Sequence, residues 1–333
     1  MNSLNINDIQ AASDRISPYI KQTPILESTL LNSWLGHQVL FKAECLQKTG
    51  AFKLRGALNM LLKAKEQGKL PQRVVASSSG NHAQAVAYAA KLLGIEATIY
   101  SARNISAVKA AATRYYGAEL DLNDTRHEAD EKAQYAAKQE NTLWMPPFNH
   151  PDIISGQGTV ILDSFAQTKD VDAVFAPCGG GGLLSGSLIA ARALSPKTKV
   201  CGVEPLIAND AAQSLRMGSI QHLAKQPSTL ADGAATMAVG EITFDYLKQL
   251  DGFYEADELQ IAYWTQWIQH LLKIHVEPTC AMSMAGVTQW LSKQSQPRKV
   301  LVILSGGNID QQKMQQIWQQ DHLDKVPSLN LAY

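Results

Sequence analysis

Short apolar runs rich in Val, Ile, Leu, Phe and Ala alternate along this chain with segments whose apolar residues recur every three or four positions. QVLFKAE (38–44) precedes a helical pattern over Leu54–Ala64, RVVASS (73–78) one over Ala83–Leu93, and EATIYS (96–101) one over Ala107–Tyr116. After a longer helical stretch the alternation resumes: DAVFAPC (172–178) with Leu183–Ala193, KVCGVEP (199–205) with Asp210–Met217, and KVLVILS (299–305) with Asp310–Gln320. Strands separated by helices predict an α/β fold with parallel sheets covered on both faces, because a parallel pair needs a crossover and that crossover is usually a helix. The nearly continuous apolar runs fit strands buried on both sides.

Composition narrows the picture. With 333 residues the chain fits about two domains of roughly 150 residues. Its 30 basic and 30 acidic residues give a formal net charge of zero, without any block of like charges. That removes the electrostatic ground for expecting nucleic acid or an anionic membrane as partner and favours a small substrate. The first residues, MNSLNINDIQAASDR, lack the basic and apolar regions of a secretory signal, and no run reaches the length of a membrane span, so the expected location is cytoplasmic. Cys45, Cys178, Cys201 and Cys280 are far apart and form no CxxC pair. They are expected to be buried free thiols rather than a disulfide framework or a zinc site.

In such sheets ligands bind beyond the carboxyl ends of the strands, where helices begin. Four unusual peptides occupy strand-to-helix junctions. Gly179-Gly180-Gly181-Gly182 exposes bare backbone N–H groups at a helix start and reads as a phosphate cup; it matches neither GxGxxG nor GxxxxGK[ST]. A phosphate site without a nucleoside motif points to a phosphorylated cofactor. Ser77-Ser78-Ser79-Gly80-Asn81-His82 offers hydroxyls, an amide and helix-start N–H groups that can hold a carboxylate. Ser305-Gly306-Gly307-Asn308 ends the last strand. The fourth peptide, Lys48–Ala57 (KTGAFKLRGA), puts lysines where a helix opens, against the preference of the helix dipole for anions. Lys48 reads as a solvated surface residue. Lys53, between Phe52 and Leu54, suits chemistry instead: burial and positive surroundings lower an ammonium's pKa, and a neutral amine condenses with an aldehyde. An imine-forming lysine, a phosphate cup, an amide, hydroxyls and a serine at strand ends are the parts that a pyridoxal phosphate site needs.

Through these motifs the chain closely resembles the fold-type II pyridoxal-phosphate enzymes, the tryptophan synthase β-like group, and specifically the serine/threonine dehydratase and serine racemase family. The resembling peptides, in order, are KTGAFKLRGA, SSGNHAQAVAYAAKLLG, PPFNHPDIISGQGT, GGGGLLSG, GVEP, ADG, VEPT and LSGGN, and they run through almost the whole chain. The resemblance implies two α/β domains, each built on a parallel sheet, with the cofactor between them. A large domain (1–62 and 150–333) holds the cofactor and a small inserted one (63–149) closes on the substrate. It implies that Lys53 is the Schiff-base lysine with Phe52 beside the ring, that Gly179, Gly180, Gly181 and Gly182 hold the phosphate, that Asn81 meets the ring hydroxyl, and that Ser305 faces the pyridine nitrogen. Ser78, Ser79, Asn81 and His82 fall in the loop that holds the substrate carboxylate. It also implies a Mg²⁺ or Ca²⁺ ion at Glu204, the Ala208 carbonyl and Asp210, a donor set of the kind these hard cations take, and a homodimer. Asp232 and Glu277 match family motifs without a definite role.

A neutral hydroxyl cannot stabilise a protonated ring nitrogen as a carboxylate does, so the ring is a weaker electron sink and loss of a β-substituent competes well with transamination. The expected activity is dehydration and deamination of L-threonine or L-serine to a 2-oxo acid and ammonia, with Lys53 as the base. The alternative is a serine racemase with dehydratase side activity, in which Ser79 supplies the second acid; PPFNHP resembles the dehydratases more. Two further readings are a β-replacement enzyme, revealed by product from O-acetylserine and sulfide, and a catalytically silent cofactor-binding protein. The sequence ends about two dozen residues after SGGN, so the C-terminal regulatory domain of biosynthetic threonine dehydratases is not expected.

Overall fold

The computed structural model describes residues 4–103 and 105–329. The chain opens with α1 (Ile6–Ile16), β1 (Ile25–Glu27), α2 (Thr29–Leu35), β2 (Gln38–Lys42) and α3 (Lys53–Glu66). It continues through β3 (Arg73–Ser77), α4 (Asn81–Leu93), β4 (Glu96–Ala102), α5 (Ala107–Tyr115), β5 (Glu119–Asn123), α6 (Arg126–Ala136) and β6 (Thr142–Trp144). Then come α7 (Pro151–Gln167), β7 (Ala173–Pro177), α8 (Gly182–Leu194), β8 (Lys199–Pro205), α9 (Asp210–Met217), α10 (Glu241–Leu247) and β9 (Gly252–Ala256). The last elements are α11 (Glu258–Leu272), α12 (Pro278–Ala281), α13 (Ser283–Leu291), β10 (Lys299–Ile303) and α14 (Gln311–Ile317).

The strands form two sheets. Six are ordered β1-β2-β10-β7-β8-β9 and four are ordered β5-β4-β3-β6. The larger sheet takes its strands from both ends of the chain, and the smaller one only from the segment between Arg73 and Trp144. All pairings are parallel except β1 with β2, which is antiparallel. At three residues β1 is too short to leave an alternation in the sequence. It can run antiparallel because α2 and its tight Gly36 C-cap (φ 68°) turn the chain back beside its own start without a crossover.

Period-two alternation explains the unbroken apolar runs. Phe41, Phe175, Val203, Val300 and Val302 pack on one face of the six-stranded sheet with Trp264, Met284 and Val287 from α11 and α13. Leu40, Val174, Ala176, Val200, Leu301 and Ile303 point the other way, onto Ile161 of α7 and Leu184 and Leu188 of α8. Each such side chain contributes roughly 1.5–3 kcal/mol by leaving water. α3 and α4 cover the smaller sheet with Leu54, Leu58, Leu61, Val86 and Ala90. α3 thus begins at the carboxyl end of the large sheet and packs into the core of the small one, so its first turn lies at their junction.

Candidate active site

Lys53 is brought to the centre of the large sheet by main-chain pairing with the peptide that follows β10. Cys45 N donates to Leu304 O (2.9 Å), Phe52 N to Ser305 O (3.0 Å) and Gly307 N to Gly50 O (2.9 Å), and Ala51 bridges Gly306. The Asn308 amide completes the zip by donating to Thr49 O (2.8 Å). These bonds hold KTGAFK against SGGN, so Lys53 and Ser305, 252 positions apart in sequence, share one strand end. Lys53 is the first residue of α3, a helix with no acid in its first turn and no side-chain cap. Its amine donates to the Pro147 carbonyl (2.7 Å), and burial lowers its pKa from 10.5 to about 8. Lys48 lies half-buried in the loop before it.

The glycine run follows β7 and opens α8. Gly181 sits at φ 90°, where a side chain is strained, and a Cβ on Gly180 would run into the Phe148 ring. The Gly180 carbonyl is turned away to accept from Thr243 Oγ1 (2.6 Å). Among the described residues nothing accepts from the amides of Gly179, Gly180 or Gly181. A cradle of free N–H groups at a helix start is the environment an anion needs.

The loop after β3 divides its residues between two tasks. The Ser78 hydroxyl accepts from Gly80 N and Ala83 N (both 3.3 Å) and so fastens the start of α4. His82 is buried, its Nε2 bonded to Met145 O (2.9 Å), and burial with the nearby Lys53 charge lowers its pKa to about 3. It is a neutral pin between α4 and the segment after β6. The Ser79 hydroxyl is half-buried and has no partner among the described residues, which leaves it available to a ligand.

Asn81 joins a network whose other members the motifs did not assign. Its Nδ2 donates to both oxygens of Glu277 (2.9 and 3.0 Å), and its Oδ1 accepts from Asn308 Nδ2 (2.8 Å). Asn308 N donates to Glu277 Oε1 (2.8 Å), and Glu277 N to Gly306 O (2.9 Å). Glu277 is 2% exposed; burial pushes its carboxyl up, against the pull of Lys109. The asparagine of an SGGN peptide and an acid before a proline carry no such message in one sequence.

Beneath Lys53 lies a buried charge cluster, also absent from the motif reading. Arg55 makes a two-pronged pair with Glu44 (Nε to Oε2 and Nη2 to Oε1, both 2.8 Å) and reaches Asp163 Oδ2 (2.6 Å) and Thr159 Oγ1 (3.1 Å). Glu44 accepts from Thr23 Oγ1 (2.5 Å), and Lys42, lowered to about 8 by burial, donates to Thr23 O (2.7 Å).

Apart from this centre, Glu204 and Asp210 are buried where β8 leads into α9, with the fully buried Ala208 between them. Glu204 accepts from Ala212 N (2.6 Å) and Ala211 N (3.3 Å). Burial raises Glu204 to about 9, with a further push from Asp210, and raises Asp210 to about 7. Asp210 Oδ2 is buried without a partner. Among the described residues no group of three or more His, Cys, Asp and Glu side chains converges. All four cysteines are free and buried, and no described helix is long and apolar enough to cross a membrane.

A lysine with a lowered pKa and a glycine cradle, both at the strand ends of the six-stranded sheet, are the two features that a phosphorylated aldehyde needs. The chain belongs to the pyridoxal-phosphate dependent enzyme family, whose pattern matches residues 16–306. Its relatives share fold type II. It is 42% identical to the L-threo-3-hydroxyaspartate ammonia-lyase of Saccharomyces cerevisiae, over 92% of this chain and 94% of that one. It is 39% identical to the serine racemase of Schizosaccharomyces pombe, over 91% and 94%. Among solved structures it superposes on the T.th. threonine deaminase with a TM-score of 0.86 and 41% identity, over 92% of this chain and 99% of that one.

Proposed function

We propose that the protein removes water from a 3-hydroxy amino acid, L-threonine or L-serine, giving a 2-oxo acid and ammonia. The observation that carries this reading is the Lys53 amine, set at the junction of the two sheets with its pKa brought down to about 8. The relatives named ammonia-lyase and threonine deaminase support it.

The amides of Gly179 to Gly182 would hold the phosphate of pyridoxal phosphate, with Phe52 beside the ring, Asn81 at its hydroxyl and Ser305 at its nitrogen. When bound, that group supplies an aldehyde that joins amines and a ring that draws electrons from the α-carbon. Lys53, as the free amine, would take the proton at the α-carbon from its fixed place in the first turn of α3. The proton gained balances the hydroxide lost from the β-carbon, so water leaves and an enamine remains; its hydrolysis gives the 2-oxo acid and ammonia. Ser79 through its hydroxyl and Asn81 through its main-chain amide at the start of α4 bind the substrate carboxylate. Ser78 and His82 hold that loop in shape. The residues of the smaller sheet close over the bound amino acid and exclude water.

A second reading, serine racemase, is favoured by the unengaged Ser79 hydroxyl and by the serine racemase relative. Reprotonation on the face opposite Lys53 needs an acid there, and Ser79 is the candidate. Ser79→Ala should then cut racemisation by about 10²-fold or more, the usual contribution of a general acid, while dehydration of the L-substrate falls less. Equal losses would mean that Ser79 serves carboxylate binding alone.

Glu204, Asp210 and the Ala208 carbonyl would hold a Mg²⁺ or Ca²⁺ ion as part of the same proposal. Two buried carboxylates with an unpartnered oxygen fit a hard cation, which would neutralise them and tie β8 to α9. Chelation should lower the melting temperature, since a ligand at a hundred times its Kd contributes about 2.7 kcal/mol. Asp210→Asn should make the protein indifferent to the chelator. Unchanged melting of the wild type, with no metal found on analysis, would remove the site.

The deciding experiment incubates the cofactor-loaded protein with L-serine, L-threonine and L-threo-3-hydroxyaspartate and measures 2-oxo acid and D-enantiomer together. Rapid 2-oxo acid from threonine or serine with little D-product supports the proposal. Preference for hydroxyaspartate replaces the substrate, and comparable D-serine makes the protein a racemase.

A further inference from the structure

Lys109 is the third residue of α5 and only 7% exposed. An ammonium in the first turn of a helix opposes the dipole, and burying it adds a desolvation cost. Both costs call for a partner, and none comes from its own helix, whose first turn carries no acid. The partner is across the junction: Lys109 Nζ lies 2.7 Å from Asp232 Oδ2. Among the described residues it is the one ion pair that joins the Arg73–Trp144 segment, which bears the smaller sheet, to the half bearing the larger; Arg15–Glu66 and Lys63–Asp152 cross only through α3. Burial works to lower the Lys109 pKa, but the carboxylates of Asp232 and Glu277 outweigh it and the value is raised.

Asp232 opens a short 3-10 turn, Asp232–Ala234, that forms part of the cradle wall. A Cβ placed on Gly179 would come within 3.0 Å of the Gly233 carbonyl, and Gly233 N donates to Thr279 Oγ1 (3.0 Å), two residues from Glu277. The pair therefore connects α5 to the turn that backs the first glycine of the cup.

We propose that Lys109 is a positioning residue for the reaction: its ion pair with Asp232 holds α5, and the small-sheet segment with it, closed against the cofactor cradle while the substrate is bound. The proposal rests on the reading that an amino acid enters between the two sheets. Lys109 acts through Asp232; it sets how long the site stays shut, so its loss acts on substrate affinity before chemistry.

The test is a double-mutant cycle on the cofactor-loaded protein with Lys109→Met, Asp232→Asn and the double variant, together with Lys109→Arg. Two quantities are read: the KM and kcat for L-serine or L-threonine, and amide hydrogen exchange across Ala107–Tyr115 without substrate. Each single neutral variant should raise KM about tenfold with kcat within about threefold, and speed exchange in α5 about tenfold, within the coupling range of contacting residues. The double variant should be no worse than either single, and Lys109→Arg should stay near wild type. Single effects that multiply in the double, a fall in kcat at constant KM, or unchanged exchange in α5 would each overturn the proposal. Should no substrate turn over, the exchange measurements still decide the latch, and the failure falls on the proposed reaction. If Lys109→Met does not fold, Asp232→Asn, at an exposed position, carries the same test.

Discussion

Lys53→Ala should abolish turnover, by at least about 10⁴-fold, because one substitution removes both the amine that anchors the aldehyde and the base that takes the α-proton. The loaded variant should also lose the visible absorbance of lysine-linked cofactor. Retention of both properties would overturn the central assignment. The same change should not weaken the fold. In the cofactor-free protein the Lys53 amine has a single hydrogen bond, to Pro147 O, and its pKa falls from 10.5 to about 8 because burial disfavours the charge. A group whose folded pKa is depressed in this way binds fewer protons folded than unfolded, so it lets stability rise with pH across the interval between the two values. The destabilisation by the ammonium is complete below about pH 8 and fades as pH approaches 10.5. Cofactor-free Lys53→Ala should therefore melt at or above the wild type at pH 7, and its advantage should shrink between pH 8 and 10. A gap that widened over that interval would mean that a carboxylate stabilises the Lys53 charge. Activity and stability pull in opposite directions at this position, as they commonly do where a site is built from a strained or desolvated group.

What can be read from the chain divides along a physical line. The sequence pattern places helix α9 at its observed limits, and α4 and α8 within two residues of theirs, because local apolar spacing and glycine caps mark them. The glycine run is legible because four bare residues at a strand end have few structural uses. Strands β1 and β6, three residues each, leave no periodic signal, and β9 (GFYEA) is hidden among the long helices around it. The site is legible where a motif carries its chemistry within a few residues, and opaque where the chemistry is tertiary. Asn81 and Ser79 stand out as members of one peptide, but the acid that orients Asn81 comes from Glu277, 196 positions away. Lys109 looks like any lysine on an amphipathic helix; only the burial of its end and the approach of Asp232 distinguish it. Arg55 sits inside a peptide singled out for Lys53, and its acids, Glu44 and Asp163, lie on either side of it in sequence with no fixed spacing to announce them.

That arginine carries the largest expected loss of stability. Arg55→Met should destabilise the protein by roughly 3–5 kcal/mol, the range found when one member of a buried ion pair is deleted and the other is left uncompensated. Arg55 and Glu44 are both 0% exposed, so neither water nor a rotamer change can replace the missing partner. Burial pushes the Glu44 carboxyl up, and it is chiefly Arg55 that overcomes this and holds it below its usual range. Without Arg55, Glu44 would keep only the Thr23 hydroxyl and the more distant Lys42. Asp163, at 20% exposure, can return to solvent and should matter less. The melting temperature should drop, and pairing the change with Glu44→Gln should recover more than about 1 kcal/mol, since contacting charges couple by roughly 0.5–3 kcal/mol. If the two changes are additive, the cluster is not what holds this region. The consequence reaches the chemistry because Arg55 belongs to the same first turn of α3 as Lys53, and it ties that turn to the chain after β2 through Glu44 and to α7 through Asp163 and Thr159. Where Arg55→Met still folds, it should retain pyridoxal phosphate less firmly than the wild type. The amine would then no longer be presented at one fixed place between the Pro147 carbonyl and the glycine cradle.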